Sequence, residues 1–455
     1  MKKLLIIPAL SSSIYSADAL AILDNVTSSN YAYEPIQQTS NPKGFDFSGW
    51  KFAGDLRGGY VRYDYDNPPS NPSDTINKGH IDSHGFYVIP KLSILTPNYN
   101  GFSAKITVAG ATDFGINDFE DESRNFVFDP NERKSFAILQ EAYISYENSG
   151  HQFLAGAKEI VTPMIDADDW YMLANSFQGA YYKNSTIKNI TFAFGYFYKM
   201  AGVWDSGANG TQWHSMSDAS FVDSDYKKIG GDEGVWSGFV QYSDEHHNLQ
   251  LWEYYMNDYY NTFFAQYDYS NKTDSFSYDA GLQLIDFYGV GELKDYYELK
   301  NKEIDYYILS ARYNAKFNNG FDVSLGASFY SDGGGTGDTL GAWGGYPYFA
   351  NGMIFHFFEA GSLQNANSYK LQVGYDISKL GVDGLWVGAR YTYFDLDSKY
   401  SYSSDGNAQD DMSLIGLKLS YNSKAGYYFN ATYEHVDLDY EPHTYALRLI
   451  GGYKF

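Results

Sequence analysis

The sequence predicts an all-β chain, a transmembrane antiparallel β-barrel of about 18 strands. Three observations carry that prediction. The last twelve residues, Thr444 to Phe455, alternate apolar and polar side chains up to a terminal aromatic. A pattern of strand, long polar segment, strand and tight turn recurs down the chain. Aromatic residues make up 19% of the sequence, 46 of them tyrosine, although no run of eighteen apolar residues is present. That composition suits interfacial girdles around a barrel and excludes a membrane-spanning helix.

In the terminal segment Tyr445, Leu447, Leu449, Gly451, Tyr453 and Phe455 share one parity. Thr444, Ala446, Arg448, Ile450, Gly452 and Lys454 share the other. Successive side chains of a strand point to opposite faces, so this strand has an apolar face and a largely polar, basic one. Its length matches the roughly 9–11 residues that a tilted strand needs to cross a bilayer. A chain ending on an aromatic in this way resembles the C-terminal strand of bacterial outer-membrane barrels. Tyr445, Leu447, Leu449, Tyr453 and Phe455 are therefore expected to form the assembly signal read by the barrel-assembly machinery. An open strand edge in lipid leaves backbone groups unsatisfied, so this strand must also close onto the first.

At the other end Met1-Lys2-Lys3 is basic, Leu4 to Leu10 is apolar, and Ser11 to Ala19 is rich in small residues. Residues 1–19 read as a signal peptide, cut after Ala17 or Ala19. Residues 20–49 form a mixed lead-in without a clear period, and residues 50–455 are assigned to the barrel. The chain has no cysteine, which excludes disulfides and cysteine-ligated metals. A net charge of −24 argues against a nucleic-acid partner.

The first strand is expected from Trp50 to Tyr63, with Trp50, Phe52, Leu56 and Tyr60 on one face and Lys51, Asp55 and Arg57 on the other. A long loop, Asp64 to Ser83, follows it. Strands near Phe86–Leu95 and Phe102–Ala111 flank Thr96-Pro-Asn-Tyr-Asn-Gly101, a strong turn signal. The acidic segment Asn117 to Lys134 leads to Ala137–Glu147, and Asn148-Ser149-Gly150 turns into Gln152–Lys158. Further strands fall at Phe177–Lys183, Ile190–Lys199, Val235–Ser243, Leu249–Met256, Thr262–Tyr269 and Phe276–Ile285. The series continues with Tyr306–Tyr313, Phe321–Tyr330, Tyr369–Asp376, Leu385–Phe394, Ser413–Tyr421 and Tyr427–Glu434. Alternation is clearest from Phe321 to Phe329 and weakest at Leu249–Met256, where Trp252 and Glu253 blur the faces. Short turns gather at one end and mostly long loops at the other, as in outer-membrane barrels. A barrel of this size leaves an aqueous channel that side chains cannot fill.

The segment Gly156-Ala-Lys-Glu-Ile-Val-Thr162-Pro163, with Asp168-Asp169, Met172-Leu173 and Asn175-Ser-Phe177-Gln-Gly179, resembles the OprD-like porins. The opening strand Gly54-Asp-Leu-Arg57-Gly-Gly-Tyr60 is similar to theirs as well. Such porins are eighteen-stranded outer-membrane channels, with related major porins in Campylobacter-type bacteria. The resemblance implies passive diffusion of small hydrophilic solutes and ions, without catalysis. It also implies that the loop from Glu159 to Ser176 folds into the pore and narrows it. Glu159, Thr162, Pro163, Asp166, Asp168, Asp169, Trp170 and Tyr171 are the constriction residues so implied. The chain departs from the family at Trp170-Tyr171, where an arginine commonly precedes the methionine, so the family's substrate preference does not carry over there.

Parity puts Lys51, Arg57, Lys91, Lys105, Arg312, Lys370, Arg390, Lys418 and Arg448 on the inner face. An Arg or Lys facing lipid near the midplane costs roughly 2–4 kcal/mol, which favours the inward placement. These residues are either simply wetted wall or a basic track, the device that the resemblance implies for guiding carboxylate-bearing solutes. Arg57, Arg312, Arg390 and Arg448 are the strongest candidates for the track. The acids Glu159, Asp166, Asp168 and Asp169 across from them are either solvated loop residues or the source of a transverse field at the narrowest point.

Other motifs are weaker. Glu245-His246-His247 sits in a turn without a third ligand at metal spacing, and Gly333-Gly-Gly-Thr-Gly337 lacks the strand–helix context of a phosphate cradle. His214-Ser215 has no acid specified by spacing, so a serine hydrolase finds no support. Asp118 to Glu122 and Asp405 to Asp411 read as solvated loop acids, with divalent bridging to lipopolysaccharide phosphates the weaker reading. No metal or cofactor is expected. Outer-membrane lipid and lipopolysaccharide are the expected surroundings, and homotrimer and monomer both stay open. The rival readings are a surface adhesin or structural barrel with long loops, and an outer-membrane enzyme.

Overall fold

The computed structural model describes residues 45–47, 49–65, 83–117, 134–169, 172–202, 213–218, 233–299, 303–334, 343–354, 362–401, 408–438 and 444–455. The expected signal peptide, most of the lead-in, Trp170, Tyr171, Asp118 to Glu122, residues 335–337 and residues 405–407 lie outside these.

Among the described residues eighteen antiparallel strands close into one barrel. The first half comprises β1 (Trp50–Tyr65), β2 (Ser83–Leu95), β3 (Phe102–Ala111), β4 (Phe136–Asn148), β5 (His151–Lys158), β6 (Ser176–Ile187), β7 (Ile190–Ala201), β8 (Val235–Ser243) and β9 (His247–Met256). The second half comprises β10 (Tyr260–Lys272), β11 (Phe276–Gly289), β12 (Asp305–Phe317), β13 (Phe321–Tyr330), β14 (Asn367–Asp376), β15 (Leu385–Asp395), β16 (Asp411–Asn422), β17 (Tyr427–Leu438) and β18 (Thr444–Lys454). Every strand expected from the sequence is present, most of them extended by a few residues. The ambiguous segment at Leu249 resolves as well, with Trp252 buried inside and Leu249 and Leu251 exposed outside.

Each strand pairs with its sequence neighbour, and β18 returns to β1 in the register Asp55↔Lys454 through Tyr65↔Thr444. The chain's last residue completes this seam. Gly54 N–H donates to Phe455 O at 2.9 Å, and Phe455 N–H donates to Gly54 O at 3.0 Å. Below that point Phe45–Phe47 pairs with Trp50–Phe52 and continues the sheet. A second short piece, His214–Ser215, pairs with the end of β7.

Alternation fixes which face is which. On β13 Phe321, Leu325 and Phe329 are exposed outside, while Ser328 and Tyr330 are buried inside. The outer wall is carried by residues such as Leu92, Ile106, Ile144, Leu282, Leu371 and Ile415. Aromatic neighbours ring its short-turn end, as in Tyr269–Tyr278–Tyr313 at 6.3 and 6.1 Å between centroids, and Tyr427–Tyr453 at 4.7 Å. The hairpins at that end are tight because their residues accept a left-handed backbone. Asn100-Gly101 has φ of 54° and 94°, and Ser149-Gly150 has 49° and 83°, the positive pair that a two-residue turn between twisted strands requires. At the opposite end the connection from Met256 to Tyr260 is equally short, and the helix α1 (Gly291–Leu299) follows β11. No helix among the described residues is long and apolar enough to cross a membrane.

Candidate functional site

Two segments turn from the wall into the lumen and meet there. The first inner loop leaves β5 at Glu159 and re-enters the wall at β6 (its described residues are 159–169 and 172–175). It is braced by its own backbone. Thr162 N–H donates to Ile165 O at 2.8 Å, Ile165 N–H to Thr162 Oγ1 at 3.0 Å, and Ala167 N–H to Ile160 O at 2.7 Å. Pro163 sits in this turn, where its missing N–H costs nothing. The second inner loop, residues 343–354, belongs to the long connection between β13 and β14. Asp166 N–H donates to Trp343 O at 2.9 Å, and Ile165 bridges both Trp343 and Gly344. The two loops thus form one obstruction.

The first loop reaches the barrel seam. Asp169 lies between Arg57 of β1 and Arg448 of β18. It accepts a hydrogen bond from Arg57 Nη1, and Arg448 Nη2 donates to its backbone carbonyl at 3.1 Å. Arg57 Nη1 also donates to Met172 O at 3.0 Å. At the loop's root Glu159 pairs with Lys91 of β2. Asp166 is enclosed, and burial pushes its carboxyl well above the usual range, with Asp168 and Asp169 pushing the same way. Asp168 lies beside Gly344 of the second loop, 3.4 Å from where a Cβ on that glycine would be.

The second loop is laced across successive strands. Gln283 of β11 donates to Pro347 O at 2.7 Å. The guanidinium of Arg312 on β12 lies 4.7 Å from the Phe349 ring centroid. Ser328 of β13 accepts from Ala350 N–H at 3.3 Å, and Ser368 of β14 donates to Ala350 O at 2.9 Å. On β15 Thr392 donates to Asn351 O at 2.9 Å and Arg390 to Gly352 O at 2.7 Å. Glu434 of β17 closes the series, accepting from Met353 N–H at 2.5 Å and Ile354 N–H at 2.6 Å.

All nine basic residues expected to face inward share the inner parity in the observed register. Lys51 is exposed near the short-turn end, and Lys418 stands between Gly388 and Thr432. Lys105 meets Glu141 at 2.6 Å. Arg312 meets Asp268 at 2.7 Å and Asp279 at 3.3 Å. Arg390 is further held by Gln372 at 2.6 and 2.9 Å, and Lys370 is buried near the Phe349 backbone. The four arginines singled out as a track therefore each engage a protein group. Two hold the first loop, Arg390 holds the second, and Arg312 stands between carboxylates under Phe349.

Sequence reasoning missed the second loop and the wall acids Glu141 and Glu434, and it placed Asp55 on the inner face without giving it a role. Glu141 escapes parity for a physical reason. A bulge sets Thr107 and Val108 opposite Glu141 and Leu139, so Gln140 is an extra residue. Gln140 and Glu141 both turn inward, the former donating to Ala174 O at 2.9 Å and the latter accepting from Thr107 at 2.7 Å. Glu434 needed no such exception. It sits on the inward parity of β17, and a parity search extended to carboxylates finds it.

No protein-family model and no curated protein sequence matches the chain. Solved structures do match. OccK9 (OpdG) of Pseudomonas aeruginosa is similar at a TM-score of 0.74 and 16% identity, covering 90% of this chain and 99% of that one. A BenF-like porin from Pseudomonas fluorescens Pf-5 is similar at 0.68 and 12% identity, over 90% and 100% of the two chains. OpdK of P. aeruginosa, solved with vanillate, is similar at 0.65 and 15%, over 89% and 98%. At these identities the likeness establishes the fold, an eighteen-stranded antiparallel β-barrel.

Proposed function

We propose that this barrel is an OprD-like outer-membrane porin, a passive channel for small hydrophilic solutes and ions. The observation that carries the reading is the division of the wall. Its outer face is apolar with an aromatic ring, while its inner face carries charged residues and two loops that fold inside the barrel, packing apolar side chains against one part of the wall and pairing with charged groups on the other. The solved neighbours of the same architecture include a protein described as a porin and one holding vanillate, a carboxylate. We read the inner lysines and arginines as a field along the path that favours anionic groups.

In this reading residues 1–19 direct export. The apolar face of β18, ending at Phe455, is the signal for the assembly machinery, and lipid and lipopolysaccharide surround the wall. The first inner loop, with Glu159 and Asp169 anchored to cations, sets the bore. Planar-bilayer recording of the purified full chain under a salt gradient tests the function. Stepwise conductance with a reproducible reversal potential is the expected result. Absence of steps, together with liposomes that exclude small sugars, sinks the porin reading and leaves a plugged surface barrel.

A further inference from the structure

Arg57 is the anchor of the first inner loop, and its own orientation is imposed from the seam side. Its Nη2 lies 3.5 Å from Asp55 Oδ2, two residues earlier on the same face of β1. Its Nε donates at 3.2 Å to the hydroxyl of Tyr428 on β17. That hydroxyl in turn donates to Asp55 Oδ1 at 2.7 Å. A guanidinium is a rigid planar fork, so fixing its Nε and Nη2 corners aims the remaining corner. That corner, Nη1, is the one holding Asp169 and Met172 O.

Tyr428 can take part only because the strand between is bare at this level. In register, Gly452 of β18 lies opposite both Tyr428 and Arg57. A Cβ on Gly452 would fall 2.5 Å from the Tyr428 hydroxyl and 2.6 Å from Leu56 O. The glycine thus lets the phenol lie across the terminal strand and reach β1. Asp55 is flanked in register by Lys454 and Lys91.

We propose that Asp55 and Tyr428 are positioning residues for the first inner loop, acting through Arg57 to set the constriction. Tyr428 also shares a buried apolar cluster with Met172 and Leu173 of the loop, so the group tested there is its hydroxyl. The effect on permeation rests on the porin reading, but the effect on the loop does not, and the two are separable by experiment. The chain has no cysteine, so Leu173→Cys supplies a single thiol in the loop at a side chain only 3% exposed. Its modification rate by a membrane-impermeant thiosulfonate reagent reports loop release in the full-length protein, whether or not it conducts.

In the Leu173→Cys background, Asp55→Asn and Tyr428→Phe should each raise that rate about tenfold, as loss of a charge-assisted hydrogen bond implies. Asp55→Glu should restore slow labelling. Heat-resistant gel migration should stay unchanged, which a purely seam-stabilising role would not predict. In bilayers the same variants should show larger conductance and more flicker. Tyr428→Phe removes one oxygen and decides the matter if Asp55→Asn fails to fold. Labelling as slow as in the parent in the folded variants, with Arg57→Ala fast, overturns the positioning role. Fast labelling without any channel in the parent keeps the positioning role and overturns the porin reading.

Discussion

The two inner loops obstruct the same lumen but are held by different chemistry. The first is anchored at a distance by charge, with Asp169 between Arg57 and Arg448 and Glu159 on Lys91. The second is held by short-range hydrogen bonds from Gln283, Ser328, Ser368, Thr392 and Arg390, with Glu434 as its one charged acceptor. Charge anchors concentrate the attachment in few side chains, and distributed bonds spread it over many. A single substitution should therefore release the first loop, whereas the second should yield only where its attachment is concentrated.

The largest effect is expected at that concentrated point. Glu434→Ala leaves two buried N–H groups, of Met353 and Ile354, without an acceptor, a loss of about 3 kcal/mol. Denaturant unfolding in detergent should show it, and a loss below that of Thr392→Ala would break the contrast. Next comes Asp169→Asn, which removes the shared counter-charge of Arg57 and Arg448. Selectivity should move toward anions by about twofold at low salt and fade as salt screens the lumen. A reversal potential that stays put, with the loop still protected, would place the anchor elsewhere.

A pH effect sharpens the contrast from the first loop's side. The native carboxyl of Asp166 ionises at higher pH than an exposed one. The folded loop therefore holds its proton where the released loop has lost it. Its stability is greatest at low pH and declines as pH rises from the ordinary carboxylate range through the raised value. Labelling at Leu173→Cys, taken relative to that of a freely exposed thiol at each pH, should accelerate with rising pH, and Asp166→Asn should flatten that relative profile. The smallest effects belong to the distributed tethers. Ser328→Ala and Thr392→Ala should each cost about 1 kcal/mol, leaving conductance unchanged, and their double variant measures how independently they act.

The barrel was legible because lipid imposes a rule on every outward residue, and a two-residue period records it along each strand. The inner parity of the nine cations singled out follows from that rule. The first loop was legible through its resemblance and its acids, which mark a segment unlike its neighbours. The second loop carries no such mark. Residues 343–354 are mostly aromatic and glycine with no charged side chain, and what fixes them is written in the wall at Ser328, Thr392 and Glu434. Those wall residues read as ordinary wetted lining until the loop lies on them. The same holds for Tyr428, whose partner Asp55 is 373 positions away and is reached across a glycine.

The seam also dictates an order of events in time. The first strand waits for the last to be made, and bringing such distant segments together is entropically costly and slow. Arg57 stands on the first strand and Tyr428 and Arg448 on the last two, which meet it only on closure, so the first inner loop has no complete anchor before then. If this loop sets the bore as proposed, a nascent barrel passes through a stage in which the bore is unguarded, and the aperture is set last. Protection of a thiol at Leu173→Cys should appear together with the heat-resistant species during refolding, and earlier protection would contradict this sequence.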